Sequence, residues 1–259
     1  MPVETTRDTF FKGRLVLFQP SEGYRSSIDA LLLVHFVYTG RGALECVDLG
    51  AGSGTIGLSL LLSEHVGKVT AVEIQKDLCS LASDNANHND LQNRYEILNS
   101  DVRNLSNSFL KPASFDLVVM NPPFWPLTHR LPSSEQRRTA CHEVHGTLSD
   151  WIYSANILIS KRKGRLSIVY PAKRLSELLV LLDRNHLFCT RMRTVHPYSS
   201  KPAELVLLEA RPVSKGNLTI LPPLFLKDSK GKDTAQLSEI VNGSFSKELL
   251  MRPDHRSTI

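Results

Sequence analysis

Between residues 44 and 210, short apolar runs alternate with amphipathic stretches. This alternation restricts the fold more than any other feature of the chain. The runs "LECVDLG" (44–50), "KVTAVEI" (68–74), "YEILNSD" (95–101), "SFDLVVMN" (114–121) and "GRLSIVY" (164–170) are aliphatic and short. Such runs read as strands buried on both faces. Between them lie "TIGLSLLLSEH" (55–65), "KDLCSLASDNANHN" (76–89), "DWIYSANILIS" (150–160) and, after the fifth run, "KRLSELLVLLDRN" (173–185), all of helical pattern. Strand–helix alternation predicts a parallel sheet with helices on both faces. Two further strands, about 188–196 and 203–210, follow with no helix between them. They predict an antiparallel hairpin that closes the sheet edge. A length of 259 residues and a hydrophobic fraction of 41% suit one large α/β domain with a substantial core.

Several function classes fall away early. The longest apolar run, "ALLLVHFVY" (30–38), is broken by His35 and is far shorter than the roughly 18–20 residues a spanning helix needs. The first ten residues are polar and acidic, unlike a secretory signal. Cys46, Cys79, Cys141 and Cys189 lie far apart without a C-x-x-C pair, which predicts reduced thiols in a cytoplasmic protein and no zinc or disulfide framework. Net charge is +5. Its basic clusters, Arg137 with Arg138, residues 161–165 and residues 191–193, lie in the later part of the chain. They read either as solvated helix ends and loops or as a surface for phosphates around one site.

The turn "VDLGAGSGTIG" (47–57) joins the first strand to the first helix of this region. Gly50, Gly52 and Gly54 let the backbone turn tightly and approach a ligand. Glu73 ends the second strand, where a doubly wound fold puts a carboxylate that grips ribose hydroxyls. A nucleoside ligand is therefore expected, against a purely structural turn. The G-x-G-x-G spacing is tighter than a dinucleotide fingerprint, and Asp48 precedes it. A carboxylate there would repel a pyrophosphate and suit an ammonium group, such as the amino-acid end of S-adenosylmethionine. Asp101, followed by Val102, ends the third strand. It reads either as an acceptor for an adenine amino group or as a turn and cap residue.

The fourth strand runs into "VVMNPPFWP" (118–126). Pro122 and Pro123 fix φ and remove backbone donors, so the loop is stiff. Asp48, the three glycines, Glu73, Asp101, Val102 and then "NPPF" together resemble the class I S-adenosylmethionine-dependent methyltransferases over about residues 10–210. The resemblance implies a Rossmann-like fold with a seven-stranded, mostly parallel sheet, helices on both faces and a terminal antiparallel hairpin. The "NPPF" tetrad resembles that of enzymes methylating a nitrogen conjugated to a π-system: adenine N6, guanine N2 or a glutamine amide. By this resemblance Asn121 touches both cofactor and target. Its side chain and the Pro122 carbonyl accept hydrogen bonds from the target amino group, Pro123 completes the rigid loop, and Phe124 stacks on the target. Two acceptors favour pyramidal nitrogen and aim its lone pair, so rate comes mainly from positioning.

Upstream, "LVLFQPSEGYRSSIDALLL" (15–33) resembles the N-terminal element of the bacterial tRNA1(Val) adenine-N6-methyltransferase family. That resemblance implies a hairpin and helix over the cofactor site, with Gly23, Tyr24, Arg25 and Asp29 contributing to a lid. Tyr24, Arg25, Trp125, Arg137 and Arg138 are the expected substrate contacts. The expected organisation is a lid over residues 1–40, a methyltransferase domain over 41–212 and a partly flexible extension over 213–259. A tRNA partner is implied, with no membrane and no metal; the sequence leaves the oligomeric state open, with a monomer favoured. The rivals are a release-factor glutamine-N5-methyltransferase, an rRNA guanine-N2-methyltransferase, a DNA adenine methyltransferase and a non-catalytic RNA-binding module on a degenerate fold. The glutamine enzymes carry an additional N-terminal helical domain, and about 46 residues precede the first strand here. The guanine enzymes often duplicate the catalytic domain, the DNA enzymes need a base-recognition domain, and the intact motifs oppose a relic.

Overall fold

The computed structural model describes residues 4–21, 28–37, 44–107, 110–123, 146–213 and 217–243. Elements are numbered in chain order: β1 (Thr5–Phe10), β2 (Leu15–Pro20), α1 (Ile28–Phe36), β3 (Glu45–Leu49), α2 (Thr55–Leu62), β4 (Lys68–Glu73), α3 (Lys76–His88) and β5 (Tyr95–Asn99). Then come β6 (Leu117–Met120), α4 (Leu148–Leu158), β7 (Arg165–Pro171), α5 (Leu175–Arg184), β8 (Phe188–Tyr198), β9 (Leu205–Arg211), β10 (Thr219–Ile220), β11 (Leu224–Lys227) and α6 (Ala235–Val241).

The main sheet has the order β10-β8-β9-β7-β6-β3-β4-β5, with β11 also paired to β8. Strands β3 to β7 are mutually parallel where they pair, and β9 alone runs against its neighbours β7 and β8. The seven strands expected from the apolar runs are all present. β6 is buried at every position, as a central parallel strand must be. One core forms under α1, α2, α3 and α6 and a second under α4 and α5, so helices cover both faces.

The sheet edge differs from expectation. The β8–β9 hairpin forms, but β10 and β11 pair in parallel with β8 beyond it. These strands have two and four residues, are interrupted by Pro222 and Pro223, and adjoin the polar turn after Lys227. Short, interrupted runs carry too little periodicity to be read as strands.

The expected N-terminal hairpin is present as β1–β2, and it is held in an unusual way. Asn85 and Asn89 lie one turn apart on α3 and pair with β2 as a neighbouring strand would. The Phe18 and Val16 amides donate to Asn85 Oδ1 (2.8 Å) and Asn89 Oδ1 (2.9 Å). The same amides' Nδ2 atoms donate back to the Phe18 and Val16 carbonyls at 2.9 and 2.7 Å. Side-chain amides thus satisfy a strand edge that would otherwise be open.

Candidate functional site

The topology fixes where a ligand can bind. From β3 the chain winds outward to β4 and β5, then returns to β6 on the other side of β3. Such a reversal opens a crevice beyond the carboxyl ends of the strands. The glycine loop follows β3, and Asn121 follows β6, so both flank this crevice. The β3–β6 register pairs Leu49 with Met120, which sets Gly50 and Asn121 side by side.

The loop's shape depends on its glycines. Gly50 has φ +74°, and a Cβ there would lie 2.6 Å from the Trp151 ring of α4. Gly54 has φ +91° and caps α2 in the left-handed region, where residues with a Cβ are strained. Glu73, at the end of β4, accepts from the Gly52 amide and from the Gln75 amide, each at 2.9 Å. Asn85 Nδ2 donates to the Ser53 carbonyl at 2.9 Å, so the hairpin clip reaches the same loop.

Asp48 has no exposed surface. It lies below the start of α2, where its Oδ2 accepts from the Gly57 amide at 3.0 Å and its Oδ1 has no hydrogen-bond partner among the described residues. Burial pushes its carboxyl up to about 7; the Gly57 amide opposes this and the Glu73 charge adds to it. Burial also raises Glu73, against its backbone donors. Two buried carboxylates with raised pKa values beside one loop favour a cation in the crevice.

At the end of β5, the Asp101 carboxylate accepts from the Arg103 amide (2.9 Å) and from its guanidinium at 2.5–3.0 Å. It therefore acts as a turn residue here, and a ligand amino group would have to share it. Val102 is buried, and its carbonyl accepts from Ser154 Oγ of α4 at 2.6 Å. Trp151 and Ser154 were not legible as site residues. On the sequence they are two positions of an amphipathic helix, and only the packing shows one face of α4 supporting both Gly50 and Val102.

Asn121 and Pro123 are half-buried and Pro122 is buried. Gly23, Tyr24, Arg25, Phe124, Trp125, Arg137, Arg138 and Cys141 lie outside the described residues. The other two basic clusters are not at the crevice. Residues 161–165 precede β7, on the opposite sheet edge: Lys163 pairs with Asp116 at 2.7 Å, Lys161 bonds Asn156, and Arg165 is buried. Arg191 donates to the Phe36 carbonyl (2.7 Å) and pairs with Glu209 (3.3 Å) in mid-β8, while buried Arg193 donates to the Pro222 carbonyl at 2.9 Å. Arg191 and Arg193 are thus held by internal partners, whereas Lys161, Arg162 and Lys163 are exposed at the end of the sheet away from the crevice. Among the described residues no helix is long and apolar enough to cross a membrane, and no His/Cys/Asp/Glu cluster could hold a metal ion.

Residues 27–133 match the family model of the methyltransferase small domain. A protein of Porphyromonas gingivalis named tRNA1(Val) (adenine(37)-N6)-methyltransferase is 32% identical over 169 residues, covering 65% of this chain and 66% of the relative. The chain thus spans just under two thirds of that relative's length. A protein of the same name from Trichodesmium erythraeum is 29% identical over 185 residues, covering 69% of this chain and 76% of the relative. The solved structure of a predicted O-methyltransferase of Agrobacterium tumefaciens superposes with a TM-score of 0.66 at 23% identity, over 83% of this chain and 96% of that one. The structure of TYW2 from M. jannaschii in complex with AdoMet gives a TM-score of 0.54 at 14% identity, over 80% and 85% of the two chains. The fold is therefore that of the methyltransferases.

Proposed function

We propose that the chain is an S-adenosylmethionine-dependent methyltransferase that modifies the N6 amino group of an adenine in tRNA. One observation carries the reading: a glycine loop with two buried carboxylates and an Asn-Pro-Pro turn end adjacent strands at the reversal point of the sheet. The similarity to the tRNA1(Val) enzymes supports the choice of acceptor.

The residues present fit the cofactor. It is a cation at sulfur and nitrogen, and its positive charge would favour the ionised forms of Asp48 and Glu73, which burial otherwise disfavours. When bound, it supplies an electrophilic methyl group on a sulfonium. Gly50 and Gly52 allow the backbone close approach, Glu73 retains acceptor capacity for ribose hydroxyls, and Val102 borders the base. Asn121 and the Pro122 carbonyl accept the two N–H bonds of the target amine and hold its lone pair toward the methyl. Phe124 is the proposed stacking partner of the base, and Trp125, Tyr24, Arg25, Arg137 and Arg138 are the further proposed substrate contacts. As nitrogen gains the methyl, the carbon–sulfur bond breaks and the amine proton leaves to solvent. No strong base is needed, because the proton is lost after attack. Residues 1–40 act as the lid, 41–212 as the catalytic domain and 213–259 as an extension of a monomeric, cytoplasmic enzyme.

The test uses purified protein, labelled S-adenosylmethionine and three acceptors: unmodified tRNA, a release factor and duplex DNA. Label recovered as N6-methyladenosine in tRNA is expected. Label found only as N5-methylglutamine in the release factor overturns the acceptor, and no label in any of them overturns the class.

A further inference from the structure

We infer that the carboxyl ends of β7, β8 and β11 form the track along which the RNA backbone reaches Asn121. The inference rests on the functional reading above, which names RNA but leaves its surface unassigned among the described residues. The crevice edge divides at β6. On one side lie β3, β4 and β5, whose carboxyl ends carry the glycine loop, Glu73 and Asp101. On the other lie β7, β9, β8 and β11, whose crevice ends carry cations: Lys173 and Arg174 after β7, Lys201 after β8, and Lys227, Lys230 and Lys232 at and beyond the end of β11.

The register sets these cations on a ledge. Met120 pairs with Ile168, so Asn121 stands level with Val169, which pairs with Leu207, which pairs with Arg193. β8 continues five residues past that level to Tyr198, and β11 follows it with Lys227 beside Tyr198. At about 3.3 Å per residue, the ledge rises roughly 16 Å above Asn121. With strands about 4.8 Å apart, it extends laterally from roughly 5 Å at β7 to roughly 19 Å at β11. The acceptor turn thus lies at the foot of a cationic wall.

The turns that present these cations are fixed. The Lys201 amide donates to the Tyr198 carbonyl at 3.1 Å. Asp228 Oδ1 accepts from the Lys230 and Lys232 amides at 2.8 and 3.0 Å, which sets the two side chains on one short turn. Arg174 pairs with Glu177, and Lys227 with Asp233. Glu204 and Asp228 are exposed on the same edge and subtract from its charge. Lys201, Lys230 and Lys232 are exposed and have no carboxylate partner among the described residues. Tyr198, at the end of β8, is 37% exposed among them. Spaced, unpaired ammonium groups beside an exposed aromatic suit single-stranded or loop RNA.

The test compares wild type with Lys201→Ala/Lys230→Ala/Lys232→Ala. It measures binding to a tRNA transcript from about 50 to 200 mM salt, alongside cofactor affinity and thermal melting. The logarithmic salt slope should fall by about 2 to 3 and affinity by on the order of 10²-fold near 0.1 M salt, since each phosphate contact contributes a slope of about 0.7–0.9. Cofactor affinity should not move, and Arg162→Ala/Lys163→Ala on the opposite edge should bind tRNA as wild type does. If the alanine variant loses cofactor binding, the Lys→Gln triple variant replaces it in the same comparison. Wild-type tRNA affinity in a well-folded triple variant, with wild type still methylating tRNA, overturns the track and leaves the enzyme reading intact. A wild type that neither binds nor methylates tRNA overturns both.

Discussion

The fully buried Asp48 makes a prediction that runs against intuition: Asp48→Asn should stabilise the ligand-free protein at neutral and alkaline pH. The carboxyl is raised from 3.8 to about 7, so the folded state holds its proton more tightly than the unfolded chain. A raised acid contributes stability that is fully present below the unfolded value and is lost as pH rises through the folded value. Between pH 5 and pH 8 wild type should therefore lose just under two pH units' worth of linkage, on the order of 2–3 kcal/mol at ~1.36 kcal/mol per unit. Asparagine has nearly the same shape, keeps an acceptor for the Gly57 amide and does not ionise. Glu73 is raised by burial as well, while burial lowers His35 to about 4 and also lowers His65, giving pH terms of both signs. These groups are common to both proteins, so the difference between variant and wild type isolates Asp48 to first order.

The assay is denaturant unfolding of both proteins without ligand, at half-unit steps from pH 5 to pH 8. The stability advantage of Asp48→Asn should grow with pH, reach about 2–3 kcal/mol relative to its value at pH 5, and level off above the folded pKa. Cofactor affinity should move the other way, because the variant lacks the charge that attracts a sulfonium and an ammonium. Parallel stability curves for the two proteins across this range would refute the reasoning, since Asp48 would then titrate as an ordinary surface acid.

Gly50→Ala forces a Cβ to 2.6 Å from Trp151 at φ +74°; calorimetry should find cofactor binding lost, and unfolding should find a penalty of ~1–3 kcal/mol from overpacking. Asn85→Ala leaves the Phe18 amide and the Phe18 and Ser53 carbonyls without their partner; hydrogen exchange at β2 should accelerate, with stability lower by ~1–3 kcal/mol. Asn121→Ala removes the acceptor proposed for the target nitrogen, so kcat should fall on the order of 10²–10³ with cofactor affinity changed far less, as read from single-turnover methyl transfer.

What the sequence made legible follows from where the signal is local. β3 to β7 are short aliphatic runs that a parallel sheet buries on both faces, and the glycine turn is bounded by a strand and a helix, so period and punctuation sufficed. The Asn85–Asn89 clip was invisible because its partners are 67 and 73 residues away, and two asparagines on a helix read as solvent-facing. Trp151 was hidden for the same reason, its contact being with a loop about a hundred residues earlier. The basic clusters misled because charge density along the chain carries no information about which sheet edge a turn occupies. Residues 161–165 enter β7 from the far edge, whereas Lys173 and Arg174 leave it at the crevice. Scattered cations such as Lys201 and Lys230 gather only once β8 and β11 pair.

Under the proposed function, the arrangement also accounts for methyl transfer without a general base. Asp48, the carboxylate nearest the glycine loop in sequence, has no exposed surface and cannot touch a target amine. Glu73 spends acceptor sites on the Gly52 and Gln75 amides. What the crevice offers instead is proximity. Gly50 and Asn121 leave neighbouring strands at the same level, about 4.8 Å apart. In the proposed reading, a methyl donor held by one loop and an acceptor amine held by the other would be brought toward the roughly 3–3.5 Å separation of reacting atoms in a near-attack geometry. Orientation of this kind can supply on the order of 7–11 kcal/mol of a barrier. The rigid Asn-Pro-Pro turn and the Trp151-backed glycine loop are what hold that separation, so changes that soften either support should lower the rate before they lower the melting temperature.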